Sequence, residues 1–411
     1  MQLCFIHILP DIDELYTSGF LNNSFIVIQN MLDFSRRFNI KLDLIESVRV
    51  FKKFIINKSY QNYDGIIIIY NDRLRKAEPE KNLEYIEKTK PCLYLFNQRV
   101  PENTCVILDE KQSVELLYKH LLSEGHSEIV FYASKDLCYI KKRRAAYLTC
   151  KQKYGNNSQK VHLFEKQDKY SSFDKNISEK RKLEHDFKKI LYSLDSIDAI
   201  MFSNDFEAFQ FAQFLEKNTE YYIPKSIAIT GFGNMHFYFN TYGYNFITTI
   251  DQKLRLATEI GLRLLVDIIR QRENQGKQIL ISPQLIERIS SLKKSYIPSR
   301  PDEFHFTNQV QNYIMTKYDE ENLAKKISFN LNLNYTYFLT LFKKKFGKTF
   351  SEYLNDIRLD QAVEFLKNTN MTVLEILITI GYNSREYFNR LFKEKFNITP
   401  SAYRILNHKN Q

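Results

Sequence analysis

Two similar segments near the end of this 411-residue chain constrain its fold more than any other feature. The later one, Gly381–Arg404, has a glycine suited to ending one helix, Asn383 as the N-cap of the next, and Glu386 to close a capping box. Apolar residues then recur at helical spacing, and basic residues occupy the other faces. A capping box of Thr372 and Glu375 opens the helix before it. The segment predicts a helix-turn-helix unit, which can place its second helix in a DNA major groove.

The earlier segment, Ile327–Gly347, repeats this layout with Asn334 as its cap. A single helical hairpin fits an ordinary packing role equally well, but a second copy favours a DNA-binding domain. We call the two units the first and second heads. Between them, Thr349 and Glu352 predict a capping box at the start of a long helix, which would hold the heads at a fixed separation.

Four motifs in this region occur in a characteristic order. They are YL-x3-RL-x2-A at Tyr353–Ala362, GY-x4-YF at Gly381–Phe388, FK at Phe392-Lys393 and TP-x3-R at Thr399–Arg404. With them, about Asp302 to Arg404 resembles the DNA-binding domain of AraC/XylS-type transcription regulators. The resemblance implies that the heads enter successive major-groove faces, roughly 34 Å apart on one side of the duplex. Asn332 and Asn397 stand where the family usually has glycine; asparagine is the next best residue for positive φ, so we expect little disturbance.

The predicted DNA contacts lie on the second helix of each head, at about Tyr335–Lys345 and Arg385–Phe396. Arg385 and Arg390 are the best base readers, because arginine can bind guanine through two hydrogen bonds. The first head has few long hydrogen-bonding side chains, so we expect weaker specificity there. The full predicted set, with Lys343 and Lys348 placed on phosphates, is Tyr335, Thr336, Thr340, Lys343, Lys348, Arg385, Glu386, Asn389, Arg390 and Lys393.

Residues before about position 291 follow a different pattern, in which continuous apolar strands alternate with amphipathic helices. The predicted strands are Leu3–Leu9, Lys41–Glu46, Gly65–Tyr70, Cys92–Phe96, Val106–Leu108, Ile129–Tyr132, Val161–Phe164, Ala199–Phe202 and Ile227–Thr230. The predicted helices span about 23–38, 112–123, 179–194 and 206–215. This alternation is typical of a doubly wound parallel sheet, and its resumption after Gly155 predicts two sheets in series, a two-lobed module with a cleft.

Several short motifs span this region in order. They are Tyr63–Ile67, Glu124–Ile129, Arg143 with Ala146-Tyr147, Ser203–Asp205, Ile223–Ile227, Gly231–Asn234 and Thr248–Ile250. With them, about Met1 to Ser291 resembles the effector-binding domain of LacI/GalR-type regulators, which share a fold with periplasmic sugar-binding proteins. The combination with an AraC-type domain resembles the xylose-regulator branch of the AraC group.

By this resemblance, Arg143 and Asn204 match positions that hydrogen-bond the effector, and their donors and acceptors suit a polyol. The structural alternatives are an interlobe salt bridge for Arg143 and a turn cap for Asn204. Gly233 stands where the family usually places a ligand-binding aspartate. Either Asn234 or Asp205 substitutes for it, or the ligand differs.

Two of the ligand candidates also have structural interpretations. Asp205 fits a helix cap at the start of the predicted helix 206–215. Phe232, near a strand end, can stack on a sugar ring, although such aromatic residues more often belong to the core.

The predicted domains are an effector-binding domain at 1–291, a linker at 292–303 marked by Pro298 and Pro301, and a DNA-binding domain at 304–411. The net charge of +11 and pI near 9.1 suit a polyanionic partner. The apolar start, Leu3–Leu9, lacks a basic leader, and nothing approaches the ~20 apolar residues that span a bilayer. We therefore expect a cytoplasmic protein with no membrane partner.

The five cysteines are odd in number and lack CxxC spacing, which favours free thiols in a reducing compartment over a zinc site or disulfides. The sequence has no Ser/His/Asp order typical of hydrolases, no HExxH and no GxxxxGK[ST] loop. We therefore expect neither a metal nor a cofactor, and an enzyme is the least favoured function.

The sequence as a whole predicts a ligand-responsive transcription regulator that binds double-stranded DNA. Its cleft would sense a small molecule, possibly a sugar, and reposition the DNA-binding domains of a homodimer. RNA polymerase would be a partner if the protein is an activator. The alternative, motivated by Gly233, is a degenerate, ligand-free sensor that responds to a partner protein.

Overall fold

The computed structural model describes residues 1–7, 20–70, 74, 80–96, 100–133, 138–155, 163–165, 179–192, 196–219, 221, 223–224, 226–235, 238–239, 243–244, 246–292, 301–331 and 333–408. The chain divides into two compact units. The first comprises Met1–Tyr238 and Phe246–Ser299, and the second comprises Arg300–Gln411 with the short segment Phe239–Asn245.

The first unit is built from strands that alternate with helices. Its strands are β1 Gln2–Ile6, β2 Lys41–Ile45, β3 Gly65–Ile68, β4 Cys92–Phe96, β5 Cys105–Leu108, β6 Ile129–Ala133, β7 Leu163–Glu165, β8 Ala199–Phe202, β9 Ala228–Phe232, β12 Thr248–Asp251, β13 Gln278–Ile281 and β14 Gln284–Ile286. Two further short strands, β10 Tyr238–Phe239 and β11 Gly243–Tyr244, pair with each other, and all of their residues except Tyr238 belong to the segment of the second unit. Its helices are α1 Phe20–Arg37, α2 Val48–Ile56, α3 Glu80–Thr89, α4 Glu110–Ser123, α5 Cys138–Tyr154, α6 Glu179–Leu191, α7 Asp205–Asn218 and α8 Leu254–Ile269.

The predicted alternation is confirmed. The strands at Cys92–Phe96 and Ala199–Phe202 have the predicted bounds, and the others differ by a few residues at their ends. Positions 8–9, 161–162 and 193–194 of predicted elements lie outside the described residues. Most of these strands are buried along their length, as expected where helices cover both faces of a sheet.

Two six-stranded sheets form the two lobes. Their strand orders are β13-β5-β4-β3-β1-β2 and β14-β12-β9-β8-β6-β7, and every described neighbour pair is parallel except β12 with β14. In each sheet the first strand, β1 or β6, lies between the next two in sequence. Such a reversal of strand order opens a crevice at the carboxyl ends of the strands, where ligands of doubly wound proteins bind.

The chain passes between the lobes at three crossovers within the described residues. The first joins β5 to α4 at Asp109, the second joins β12 to α8 at Gln252-Lys253, and the third joins β13 to β14 at 282–283. Helix α4 packs on α5 and β14 in the second lobe, whereas α8 packs on α1, β4 and β5 in the first. These crossovers are the covalent connections between the lobes within the described residues.

The second unit is helical apart from its short 239–245 segment. Its helices are α9 Pro301–Lys317, α10 Leu323–Asn330, α11 Tyr335–Phe346, α12 Phe350–Asn368, α13 Val373–Thr379, α14 Arg385–Phe396 and α15 Pro400–His408. Helix α9 begins inside the segment predicted as a linker, 292–303, of which 293–300 lies outside the described residues. The two heads are α10–α11 and α13–α14, separated by α12.

Helix caps in the second unit follow the sequence with one correction. Two of the three predicted capping boxes, at the starts of α12 and α13, are present, and Asn334 caps α11; the third, of Asn383 and Glu386, is absent. The predicted N-cap of α14, Asn383, is wrong: the Ser384 hydroxyl accepts from the Tyr387 amide at 3.2 Å. The Asn383 amide instead donates to Glu321 at 2.8 Å, so the long-range partner takes it away from the helix end.

Left-handed residues end the second helix of each head. Gly347 has φ 69° after α11, and Asn397 has φ 61° at the equivalent place after α14. The prediction that asparagine replaces glycine there is confirmed for Asn397, whereas Asn332 lies outside the described residues. Asparagine tolerates this backbone region better than most residues do.

Gly381, in the turn of the second head, is required for two reasons. Its φ of 85° is left-handed, and a Cβ there would lie 2.5 Å from the Asp319 carbonyl and 2.8 Å from Arg358 Nη2. Arg358 itself donates to the carbonyls of Tyr318 at 2.7 Å and Glu320 at 3.2 Å. The turn is thus held against the loop between α9 and α10.

The four cysteines whose side chains are described, Cys4, Cys92, Cys105 and Cys150, are free and buried, as predicted for free thiols. Burial raises the pKa of the Cys105 thiol to about 11, so it stays protonated at neutral pH. No described helix has the length and apolar character needed to cross a membrane.

Two glycine substitutions test the packing of the second head. We expect Gly381→Ala to destabilise the DNA-binding unit by about 2 kcal/mol or more, because left-handed strain and a backbone clash add. Gly347→Ala is the matched control, since its φ is also positive but its Cβ would meet nothing within 4 Å. Urea unfolding followed by helical circular dichroism measures both. Equal losses of unfolding free energy in the two variants would show that the close approach of other atoms to Gly381 contributes nothing to stability.

Candidate effector cleft and DNA interface

Arg143, on α5 of the first unit, is the centre of a buried polar cluster. Its side chain is only 4% exposed and forms a salt bridge with Glu110, Nε to Oε2 at 2.6 Å and Nη2 to Oε1 at 3.1 Å. Its Nη1 donates to the carbonyl of Ser203, which directly follows β8. The guanidinium also lies over the rings of Phe232 at 4.3 Å and Tyr139 at 4.9 Å. The predicted alternative is an interlobe salt bridge; the structure shows a salt bridge of Arg143, but it joins α5 to the start of α4, and these helices pack together in the second lobe.

Glu110 ties this cluster to the crossovers between the lobes. It is the first residue of α4, directly after the Asp109 N-cap, where the chain leaves the first sheet. Its Oε1 also accepts from the Gln252 amide at 3.3 Å, and Gln252 lies at the crossover from β12 to α8. Sequence reasoning missed both residues, because neither belongs to a recognised motif.

Asn204 and Asp205 follow β8 but have different roles. Asn204 is the N-cap of α7, with its Oδ1 accepting from the Glu207 amide at 2.9 Å, and its Nδ2 donates to the Ser203 hydroxyl at 3.1 Å. The turn-cap alternative for Asn204 is thus confirmed. The helix-cap interpretation of Asp205 is wrong, because Asp205 is already the first residue of the helix.

The Asp205 carboxylate is satisfied inside the protein. It accepts from the Thr249 hydroxyl at 2.6 Å and from the Met235 amide at 2.7 Å. Gly231 makes room for it, since a Cβ there would lie 2.2 Å from Oδ1. Burial raises the pKa of Asp205 to about 6, although these hydrogen bonds and the charges of Arg288 and Arg143 lower it.

The two remaining effector candidates also have internal contacts. The Asn234 side chain accepts from Arg288 Nη2 at 2.6 Å and donates to Asp251 at 3.3 Å. Phe232, at the end of β9, is buried in the core of the second lobe and presents its face to Arg143. The structure thus brings Arg143, Asn204 and Phe232 together around Ser203, while the polar atoms of Asp205 and Asn234 bond to other protein groups.

The sequence suggested Asn234 or Asp205 as a substitute for the aspartate missing at Gly233. In the structure, the carboxylate beside Arg143 belongs instead to Glu110. Among the described side chains, no group of three or more His, Cys, Asp or Glu residues is placed to hold a metal ion.

In the DNA-binding unit, buried aromatic residues fix which face of each second helix is exposed. Phe338 and Phe342 of α11 are fully buried, as are Phe388 and Phe392 of α14. All ten predicted DNA contacts are exposed except Asn389, which is half-buried. The capped amino ends of α11 and α14 leave their first turns accessible, the part of a recognition helix that meets base edges.

Three contacts distinguish the predicted DNA residues from one another. Arg390 lies 5.4 Å from the Tyr387 ring centroid, and the Tyr387 hydroxyl accepts from Asn355 of α12 at 3.1 Å. The second head is thereby braced on the long helix. Lys348 pairs with Asp356 at 2.7 Å, so its predicted phosphate contact must compete with this ion pair.

Comparison with known families supports both units. Residues 327–405 match a family described as a helix-turn-helix domain, and residues 118–291 match a periplasmic binding protein-like domain. A segment of 104 residues is 35% identical to the transposon Tn10 TetD protein of Escherichia coli, covering 25% of this chain and 75% of that protein.

One longer match spans both units. Over 355 residues the chain is 22% identical to the xylose operon regulatory protein of Haemophilus influenzae, covering 83% of this chain and 85% of that protein. The chain spans less than half of two further relatives, 23% of an HTH-type transcriptional regulator of Bacillus subtilis and 48% of the Msm operon regulatory protein of Streptococcus mutans.

Solved structures show the same fold. The xylose-binding transcription activator xylR matches with a TM-score of 0.50 and 16% identity over 99% of both chains. A LacI family transcriptional regulator from Enterococcus faecium with bound ribose matches with a TM-score of 0.54 and 18% identity, over 71% of this chain and 99% of that one.

Fold and matches together define a DNA-binding transcription regulator that carries a sugar-binding-like sensor domain. The chain belongs to the AraC-type helix-turn-helix regulators, as its motifs predicted, and it is a regulator rather than an enzyme.

The raised pKa of Asp205 gives a pH test. Its folded value of about 6 exceeds the ordinary 3.8, so the native protein binds more protons between those values and loses stability as pH rises through them. Asp205→Asn cannot ionise, and we expect its stability to fall less from about pH 4 to pH 6. Urea midpoints of both proteins measured across this range provide the comparison; parallel curves would contradict the assignment.

Arg390 gives a test of the DNA interface. We expect Arg390→Ala to cost about 1–3 kcal/mol on a cognate site and to relax specificity there. Arg390→Lys keeps the charge but loses the two-pronged geometry, so it should fail similarly at a base-reading site. Fluorescence anisotropy on cognate and random duplexes distinguishes the roles. Equal loss on random DNA, with rescue by lysine, would make Arg390 a phosphate contact.

Proposed function

We propose that the regulator senses a neutral sugar or related polyol in the cleft around Arg143, Glu110 and Asn204. The observation that carries this proposal is the buried Arg143–Glu110 pair, placed at the carboxyl ends of the second sheet's strands where doubly wound proteins bind ligands. Arginine supplies donors and glutamate supplies acceptors, a combination that suits hydroxyl groups. Because Glu110 already neutralises Arg143, an anionic ligand gains less here than at an unpaired arginine.

The relatives support a sugar over other small molecules. One is a xylose operon regulator, one structural neighbour is named for xylose binding, and another holds ribose. We extend that class to this chain, with pentoses as the first candidates. If no small molecule binds, the alternative is favoured, a sensor that responds only to a partner protein.

Coupling to DNA follows from the crossovers. Glu110 and Gln252 lie on two of the three connections between the lobes, so a ligand that alters their contacts with Arg143 changes the balance between lobe arrangements. The difference in affinity between those arrangements sets how far the equilibrium shifts. In a cytoplasmic homodimer, this shift would reposition the DNA-binding units, and an activating role adds RNA polymerase as a partner.

At the DNA, we propose that the second helices of both heads enter successive major-groove faces. Arg385, Glu386, Asn389 and Arg390 would read bases in the second head, with Lys393 on a phosphate. In the first head, Tyr335, Thr336 and Thr340 would face the bases and Lys343 and Lys348 the phosphates. Their exposure on one helix face supports these roles.

A thermal-shift screen of the purified protein tests the sensor. We expect a neutral pentose or hexose to raise the melting temperature in a dose-dependent way, because binding adds about 2.7 kcal/mol to the free energy of unfolding at one hundred times Kd. Uronic acids should give a smaller shift. No shift across the panel would reject the sugar proposal.

Variants must separate binding from stability. Arg143→Ala strands a buried Glu110 and should cost about 3–5 kcal/mol by itself. The double variant Arg143→Met with Glu110→Gln removes both charges, and we expect it to fold but to lose the ligand-induced shift. Arg263→Ala is the control, because its ion pair with Glu259 at 2.8 Å lies on α8, outside the Arg143 cluster. Arg263→Ala should keep the ligand-induced shift in melting temperature. If the double variant also keeps this shift, the ligand binds elsewhere.

A further inference from the structure

The sequences of the two heads align with a constant offset in residue number. Phe338 corresponds to Phe388 and Phe342 to Phe392, an offset of 50 residues that also relates the caps Asn334 and Ser384. Equivalent positions therefore have the same orientation on the two helices. Differences between the heads at exposed positions are differences in what each one presents to DNA.

One shared exposed position carries a lysine in both heads, Lys343 and Lys393, in the last turn of each helix. A cation there fits a sequence-independent phosphate contact. The positions nearer the amino ends do not match. Their pairs are Tyr335 with Arg385, Thr336 with Glu386, and Thr340 with Arg390.

The second head presents groups that hydrogen-bond to guanine and cytosine. Arginine binds guanine O6 and N7 through two hydrogen bonds, and a carboxylate accepts from cytosine N4. Arg385, Glu386 and Arg390 are all exposed. This head is therefore chemically suited to G·C pairs.

The first head presents methyl groups and aromatic rings. The Thr340 hydroxyl donates to the Thr336 carbonyl at 3.0 Å, so its proton is used inside the helix and its methyl group remains for an outside contact. Tyr335, whose counterpart in the second head is Arg385, is 40% exposed. In the major groove, the apolar group that such side chains recognise is the C5 methyl of thymine.

We propose that the two heads read different base chemistry, the first head thymine methyl groups and the second head G·C pairs. The operator would contain a thymine-rich segment and a guanine-containing segment, roughly one helical turn apart. This inference rests on the proposed role of α11 and α14 as the DNA-reading helices.

Base analogues test the proposal on a duplex selected from a random pool by the full-length protein. Deoxyuridine in place of thymidine removes only the C5 methyl, and 7-deazaguanine removes only the N7 acceptor. We expect deoxyuridine to weaken binding in one segment only, about fourfold for each contacted methyl. In the other segment, 7-deazaguanine should weaken binding about tenfold at each guanine read by arginine.

Threonine variants assign the thymine segment to the first head. Thr340→Val keeps the methyl and loses the hydroxyl, whereas Thr340→Ser does the reverse. We expect the serine variant to bind more weakly than the valine variant and to lose part of the sensitivity to deoxyuridine, which the valine variant should keep. Both changes are on an exposed helix face, and Lys343→Ala is the control that should weaken all duplexes equally.

A third variant at the same position tests for a gain of guanine recognition by the first head. Thr340→Arg places the second head's arginine at the equivalent position of the first, and renewed selection should then yield guanine in the segment that was thymine-rich. The proposal would be overturned if deoxyuridine weakened binding in no segment. It would also be overturned if Thr340→Ser bound normally and Thr340→Val lost binding. Either result would leave specific DNA binding intact. Failure to select any sequence would instead reject the DNA-reading roles themselves.

Discussion

A buried guanidinium must be neutralised where it lies, and this requirement organises the sensor unit. Arg143 has its salt bridge with Glu110, its bond to the Ser203 carbonyl and its stacking on Phe232 all within one cluster. Because Glu110 also accepts from Gln252, the charge links two crossovers between the lobes. A change at this cluster therefore alters contacts at two of the described connections between the lobes.

The same cluster accounts for the departure at Gly233. A family that uses an aspartate there obtains its acceptor from the loop after β9. Here the acceptor beside Arg143 comes from the start of α4 instead, and the nearby Asp205 is held by Thr249 and the Met235 amide. In this structure a donor and an acceptor lie side by side at Arg143, and the acceptor comes from the start of α4.

The DNA-binding unit shows how one scaffold can present two chemistries. Buried phenylalanines and left-handed caps fix the helices, and neither depends on the side chains predicted to contact DNA. The exposed positions can therefore vary without loss of the fold. Threonine and tyrosine in one head and arginine in the other are differences of recognition, because the buried register is the same in both.

Local signals in the sequence determined most of the architecture. Apolar runs and helical periodicity depend on residues a few positions apart, so they located the strands, the heads and the capping boxes at Thr349 and Thr372, and motif order identified the family. The choice between Asn383 and Ser384 as a cap could not be made this way, because Glu321, 62 positions away, attracts the asparagine. For the same reason only the tertiary structure decided the partners of Arg143 and Asp205. Glu110 and Gln252 are separated by 142 positions, and they meet because strand order brings two crossovers together.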